Sequence, residues 1–140
     1  MCDTIRYEFI EDKIVIPVTV NGVVVKYIVD TGGQTGTDWE HAQKMGAVGT
    51  GASNPIADLN GKKQLYQIAE VKDVRLSPNY TLNSLKTMIF PVIGSFRSLG
   101  VVGILGGDAF AESVITFDAR EKIMVTLISH FIYCTEYQSV

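Results

Sequence analysis

The chain has 140 residues, 46% of them hydrophobic, and a formal net charge of −3. That is enough apolar material for one sizeable core and too little length for two, so a single domain over residues 1–140 is expected. With no basic run and no acidic tail, and with the long apolar stretch Leu99 to Ile115 broken by Asp108 and Glu112, neither nucleic acid nor a membrane is an expected partner; a peptide, a protein or a small molecule remains.

The N-terminus, Met1-Cys2-Asp3-Thr4-Ile5-Arg6, lacks the basic stretch and apolar segment of a signal peptide. A cytoplasmic address is therefore the expectation, with a processed, lipidated Cys2 as the alternative. Cys2 and Cys134 lie near opposite ends and read as two unpaired thiols rather than a disulfide framework or a zinc site. After a short apolar piece from Tyr7 to Ile10, Lys13 to Val20 sets Ile14, Ile16, Val18 and Val20 on one face at period two. Pro17, on the other face, predicts an edge or a bulge. Asn21-Gly22 suits the positive φ angles of a type I′ turn, so Val23 to Val29 runs back antiparallel and delivers Asp30 at its end. A β-prone run thus stops at one carboxylate, and the glycine-dense Thr31-Gly32-Gly33-Gln34-Thr35-Gly36 follows.

Thr37-Asp38-Trp39-Glu40 reads as a capping box with Thr37 at the N-cap, and Gly46 as the stop of the short helix it opens. Val48 to Asn54 reads as connecting chain. Asn60-Gly61, inside Pro55 to Lys63, signals a second, polar hairpin standing off the body. Strands are expected at Gln67 to Leu76 and at Leu85 to Ile93, separated by Ser77-Pro78-Asn79. Gly100 to Glu112 reads as an apolar strand that meets two glycines and passes into a short helical turn. The chain closes with Val114 to Phe117, a turn at Asp118 to Glu121, and Ile123 to Tyr133. Short strands, frequent turns and little helix predict a mainly β barrel or sandwich.

Most hydrolytic chemistries find no residues here. There is no Gly-x-Ser-x-Gly, no His-Glu-x-x-His, and no Walker lysine after Gly100 to Gly107. His41 and His130 have no metal-ligand spacing with each other or with the cysteines, so neither a metal nor a cofactor is expected. Trp39 reads as a packing residue under the loop after Asp30, with substrate contact as the alternative. Asp30, taken alone, is an ordinary strand-end acid.

Taken together with its neighbours, Asp30 reads differently. Two hydrophobics followed by Asp30-Thr31-Gly32, and later Ile104-Leu105-Gly106, resemble the catalytic triplet and the adjacent hydrophobic-hydrophobic-Gly motif of the retropepsin family of single-domain aspartic proteases. Gly106-Gly107-Asp108-Ala109-Phe110 and Val114-Ile115-Thr116-Phe117-Asp118 resemble the helix and closing hairpin of bacterial members. The resemblance spans roughly Lys13 to Leu127. It implies a closed, mainly β acid-protease barrel with one or two short helices, and an aspartic endopeptidase that uses water and needs no metal or cofactor. Asp30, Thr31 and Gly32 would be catalytic. Gly33, Gln34, Val102 and Ile104 would contact substrate, and a flap within Thr50 to Ile68 would cover it. Only one such triplet is present, so the family's pair of carboxylates requires a homodimer with Asp30 of each chain at the two-fold axis. A catalytically silent peptide-binding or assembly module on the same barrel is the alternative.

Three positions depart from the family pattern. Gly33 stands where relatives carry Ala or Ser, so no hydroxyl faces the catalytic carboxylate and a less acidic optimum is expected. Gln34 and Gly107 stand where retroviral members carry an Asp and an Arg that pair with each other. Dimer contacts would then come from elsewhere, the tail from Ile128 to Val140 being the candidate.

Overall fold

In the computed structural model, which describes residues 2–57 and 59–128, the alternation in β3 (Lys13–Val20) buries Ile16, Val18 and Val20. Each fully buried side chain of this size stabilises the fold by about 1.5–3 kcal/mol. Asn21 and Gly22 both adopt positive φ, 49° and 80°, and Val20 faces Val23 across the turn. The type I′ hairpin is therefore present. It returns the chain as β4 (Val23–Asp30), which buries Tyr27 and Ile28.

The remaining strands are β1 (Cys2–Arg6), β2 (Glu8–Ile10), β5 (Gly36–Asp38), β6 (Val48–Ala57), β7 (Lys63–Ser77), β8 (Tyr80–Phe90), β9 (Gly103–Gly106), β10 (Ser113–Asp118) and β11 (Ile123–Ile128). Two short helices, α1 (Trp39–Lys44) and α2 (Gly94–Leu99), and a 3-10 turn at Gly107–Phe110 complete the described chain. One sheet has the order β2-β3-β4-β9-β5-β8-β7-β6, and an extra pairing of Thr19 and Val20 in β3 with Arg75 and Val74 in β7 closes it. The result is a six-stranded barrel from β3 round to β7, with β2 and β6 as extensions. A smaller sheet, β1-β11-β10, packs beside it and sends Ile5 and Met124 into the same core. Asp3 pins β1 to the β7–β8 turn by accepting hydrogen bonds from the Ser77 hydroxyl and from the Asn79 amide and side chain. Burial acts to raise the Asp3 carboxyl, but these bonds outweigh it and hold it below the usual carboxylate value.

Several elements differ from the sequence expectation. Val48 to Asn54 is strand, not connecting chain, because β7 supplies its hydrogen bonds from Val48↔Glu70 to Ala57↔Lys63. The helix cap is Asp38, whose Oδ1 accepts the His41 amide at 2.9 Å. Thr37 is unavailable for that role, since its hydroxyl donates to the Val102 carbonyl at 2.7 Å. Gly46, at φ +74°, does end the helix. Pro17 is on neither an edge strand nor a bulge: β4 pairs with it through Lys26, while on the other flank β2 reaches only to Val15 and β7 begins at Thr19. The missing N–H thus falls in a gap. β1 and α2 are additional elements, and the Ile123 to Tyr133 strand is seen to Ile128, its later residues lying outside the described ones along with His130, Cys134 and most of the tail.

Candidate active site

Asp30 owes its position to a three-strand arrangement. β4 lies between β3 and β9, and its pairing with β9 is parallel, in the register Tyr27↔Gly103 to Asp30↔Gly106. Both strands therefore end together, and the loop after Asp30 must fold over the end of β9. Glycine makes that approach possible. A Cβ on Gly106 would lie 2.4 Å from the Gly33 carbonyl oxygen, and one on Gly107 2.6 Å from that of Thr31. One on Gly103 would lie 2.0 Å from the Gly36 carbonyl oxygen. The arginine that retroviral relatives carry at the position of Gly107 has no room in this packing.

Hydrogen bonds then hold the loop down. The Gly107 amide donates to the Gly33 carbonyl at 3.1 Å. Buried Thr35 donates its hydroxyl to Asp108 Oδ1 at 2.8 Å, accepts the Gly106 amide at 3.0 Å, and also gives its own amide to Asp108 Oδ1 at 3.0 Å. Thr35 and Asp108 are positioning residues that were not singled out as such from the sequence. The signal was the Gly-Gly-Asp opening of the 3-10 turn, whose partner lies 73 residues upstream.

The carboxylate held in this way is exposed. Asp30 Oδ1 accepts the Gly32 amide at 3.2 Å, and the Gly33 amide donates to the Asp30 carbonyl at 3.0 Å. No cation pairs with Asp30 among the described residues. Thr31 is exposed, and its hydroxyl has no partner within the described chain. Gly33 presents bare backbone to the acid: a Cβ there would lie 3.2 Å from Asp30 Oδ2. Gln34 reaches the opposite way, its Oε1 accepting Asn54 Nδ2 of β6 at 2.8 Å.

Val102 and Ile104 occupy different places. Val102 is buried in the main core. Ile104 is half-buried beside a second cluster of Val15, Ile28, Leu99 and Val101. Trp39 is 40% exposed rather than packed beneath the loop. Just before it, Asp38 is buried and binds both the amide and, at 2.7 Å, the ring Nδ1 of His41. Burial would raise the Asp38 carboxyl, but these bonds and the nearby charges of His41 and Arg97 keep it below its ordinary value.

A cleft of about 470 Å³ between Asn21, Gly46, Val48, Glu70 and Lys72 contains none of these loop residues. A smaller one, about 170 Å³, does: Gln34, Thr35, Asn54, Ile68, Met88 and Asp108 line it, with Lys86 at its wall. Asp30 itself stands outside both.

A family model described as aspartyl protease matches residues 16–109, well over half of the chain. The chain belongs to the aspartyl protease family. Its fold is similar to that of a retropepsin-like aspartic protease from Rickettsia conorii, with a TM-score of 0.61 at 15% sequence identity over 90% of this chain and 89% of that one. No curated protein matches the chain in sequence. The aspartyl protease match runs from β3 through Asp30 and β9 into the 3-10 turn at Ala109. It thus takes in the loop, both sides of its glycine packing and the Thr35–Asp108 contact.

Proposed function

We propose that this aspartyl protease is an endopeptidase whose catalytic pair is Asp30 from each of two identical chains. The observation that carries the reading is the state of Asp30: an exposed carboxylate, fixed by the Gly32 amide and without a cation, at the end of two parallel strands that a hydrogen-bonded loop locks in place. Two such carboxylates facing each other would not both ionise, so the pair would hold one proton. One member then takes a proton from a water that attacks the scissile carbonyl. The other protonates the carbonyl oxygen, and the proton taken from the water then passes from the first member to the departing amine. Neither a metal nor a covalent intermediate enters.

The remaining roles follow from placement. Thr31, with its hydroxyl uncommitted among the described residues, is suited to bond across the two-fold axis, and Gly32 keeps the backbone close to the peptide. Gly33, Gln34 and Ile104 would contact substrate; Val102, expected to do so as well, is buried in the main core and would not. The β6–β7 hairpin would be the flap, tied to the active-site loop through Asn54 and Gln34. Incubation with a mixed peptide library from acidic to neutral pH tests the activity: cleavage blocked by a pepstatin-type inhibitor supports it, and absence of cleavage at every pH contradicts it.

Gly33 makes a separate prediction. A serine there would bring a hydroxyl within reach of Asp30 Oδ2, since its Cβ would already be 3.2 Å away. A donor to the ionised form favours that form. The acidic limb of the kcat/KM profile should therefore move to lower pH in Gly33→Ser and stay in place in Gly33→Ala. A shift of equal size in both variants would show that bulk, not the hydroxyl, is responsible.

A further inference from the structure

A third cleft, of about 180 Å³, opens between Trp39 and β6, lined by Trp39, Gly51, Ala52, Ser53, Gln67 and Ile68. A bulge creates it. Gly49 pairs with Ala69 and Ser53 with Gln67, so residues 50–52 all stand opposite Ile68. Bulges of this kind re-aim side chains and recur beside active sites. This one is braced: the Thr50 hydroxyl donates to the Ile68 carbonyl at 2.8 Å and accepts the Ala52 amide at 3.2 Å. Gly51 sits at φ +79°, and a Cβ there would meet nothing within 4 Å.

Two features connect this cleft to substrate. Ile68 is in its wall and also in the wall of the cleft lined by Gln34, Asn54 and Asp108. Ser53 lines the one and Asn54 the other, and Asn54 is clasped by Gln34, three residues from the catalytic triplet's Thr31. The chemistry of the two differs. Lys86 and Asp108 give the inner cleft charge, whereas no charged side chain lines the outer one, where Trp39 is the one aromatic residue.

We propose that the Trp39 cleft is an outer specificity pocket that takes an aromatic or large aliphatic side chain of the peptide, next to the cleft that Lys86 and Asp108 line. The assignment rests on the peptidase reading above. A stacking face, an apolar Ile68 and uncharged walls favour such a side chain and leave a charged one without a partner.

Trp39 is the chain's single tryptophan, so it reports on its own occupancy. The wild-type protein is given a peptide library in which each position outside the scissile pair carries Phe, Leu, Ala, Asp or Lys. One outer position is expected to favour Phe or Leu over Asp or Lys by about tenfold or more in kcat/KM. Trp39→Ala should lose that preference alone, and Trp39→Phe should keep it. In full-length Asp30→Asn, titration with the uncut Phe peptide should change Trp39 emission and saturate, while the Asp-substituted peptide should not. An outer preference that persists in Trp39→Ala overturns the proposal, as does unchanged emission at saturation. An equal emission change with the Asp-substituted peptide overturns it as well. If wild type cleaves nothing but the Phe peptide still changes the emission, the pocket stands and the peptidase reading falls.

Discussion

Asp30→Asn should lower kcat/KM by about 10⁴-fold, the upper end of what positioned acid–base groups contribute, because in a symmetric pair one substitution removes acid and base together. The fold should be untouched. Asp30 is exposed and makes one side-chain hydrogen bond, from the Gly32 amide to Oδ1, which an Asn carbonyl oxygen also accepts. Stability should therefore stay within about 0.5 kcal/mol of wild type, as for other surface changes. Activity and denaturation measured on the same preparation separate the two effects. Cleavage that survives the substitution would remove Asp30 from the mechanism.

Gly106→Ala should be among the most damaging small changes in the barrel. Its methyl would lie 2.4 Å from the Gly33 carbonyl oxygen and 2.6 and 2.7 Å from the backbone of Gln34. Those neighbours are main chain, so no side chain can rotate away. Overpacking costs about 1–3 kcal/mol and sometimes more, and here the obstructing atoms belong to the loop that Thr35 and Asp108 fasten. A loss of about 3 kcal/mol or more is expected, a large share of the roughly 5–15 kcal/mol that holds a domain together. The denaturation midpoint should fall, and the molecules that still fold should cleave more slowly because the Asp30 loop has lifted from β9. Gly49→Ala is the control, since a Cβ at Gly49 meets nothing within 4 Å. Equal losses in both variants would mean that flexibility in strands, and not the close approach, sets the cost.

What the sequence revealed and what it hid divide along the distance between interacting residues. The Asn21-Gly22 turn was legible because positive φ is written into those two residues. The neighbouring β2–β3 turn was not: Glu11 and Asp12 adopt the same positive φ, 49° and 63°, without being residues that announce it. Val48 to Asn54 of β6 looked like linker because glycine, serine and asparagine are frequent there, and only the ladder from β7 makes it a strand. The capping pattern at Thr37 was real, but a carbonyl 65 residues away claimed the hydroxyl and left Asp38 to cap. α2 carries no side-chain cap at Ile93 to mark its start.

The site follows the same division. Asp30-Thr31-Gly32 and Ile104-Leu105-Gly106 were legible as local motifs, and the parallel register brings them side by side. The Thr35–Asp108 brace, the Gln34–Asn54 clasp and the cleft beside Trp39 are long-range contacts, and no local pattern encodes them.

Whether two chains share one active site is tested most directly by mixing. Wild-type protein at fixed concentration is equilibrated with increasing amounts of Asp30→Asn chain, under saturating peptide. If each active site needs Asp30 from both partners, mixed pairs are inactive, and at equal amounts the rate falls to about half as wild-type chains are drawn into them. A rate that stays constant at every ratio would mean that one chain cleaves alone and would contradict the shared pair.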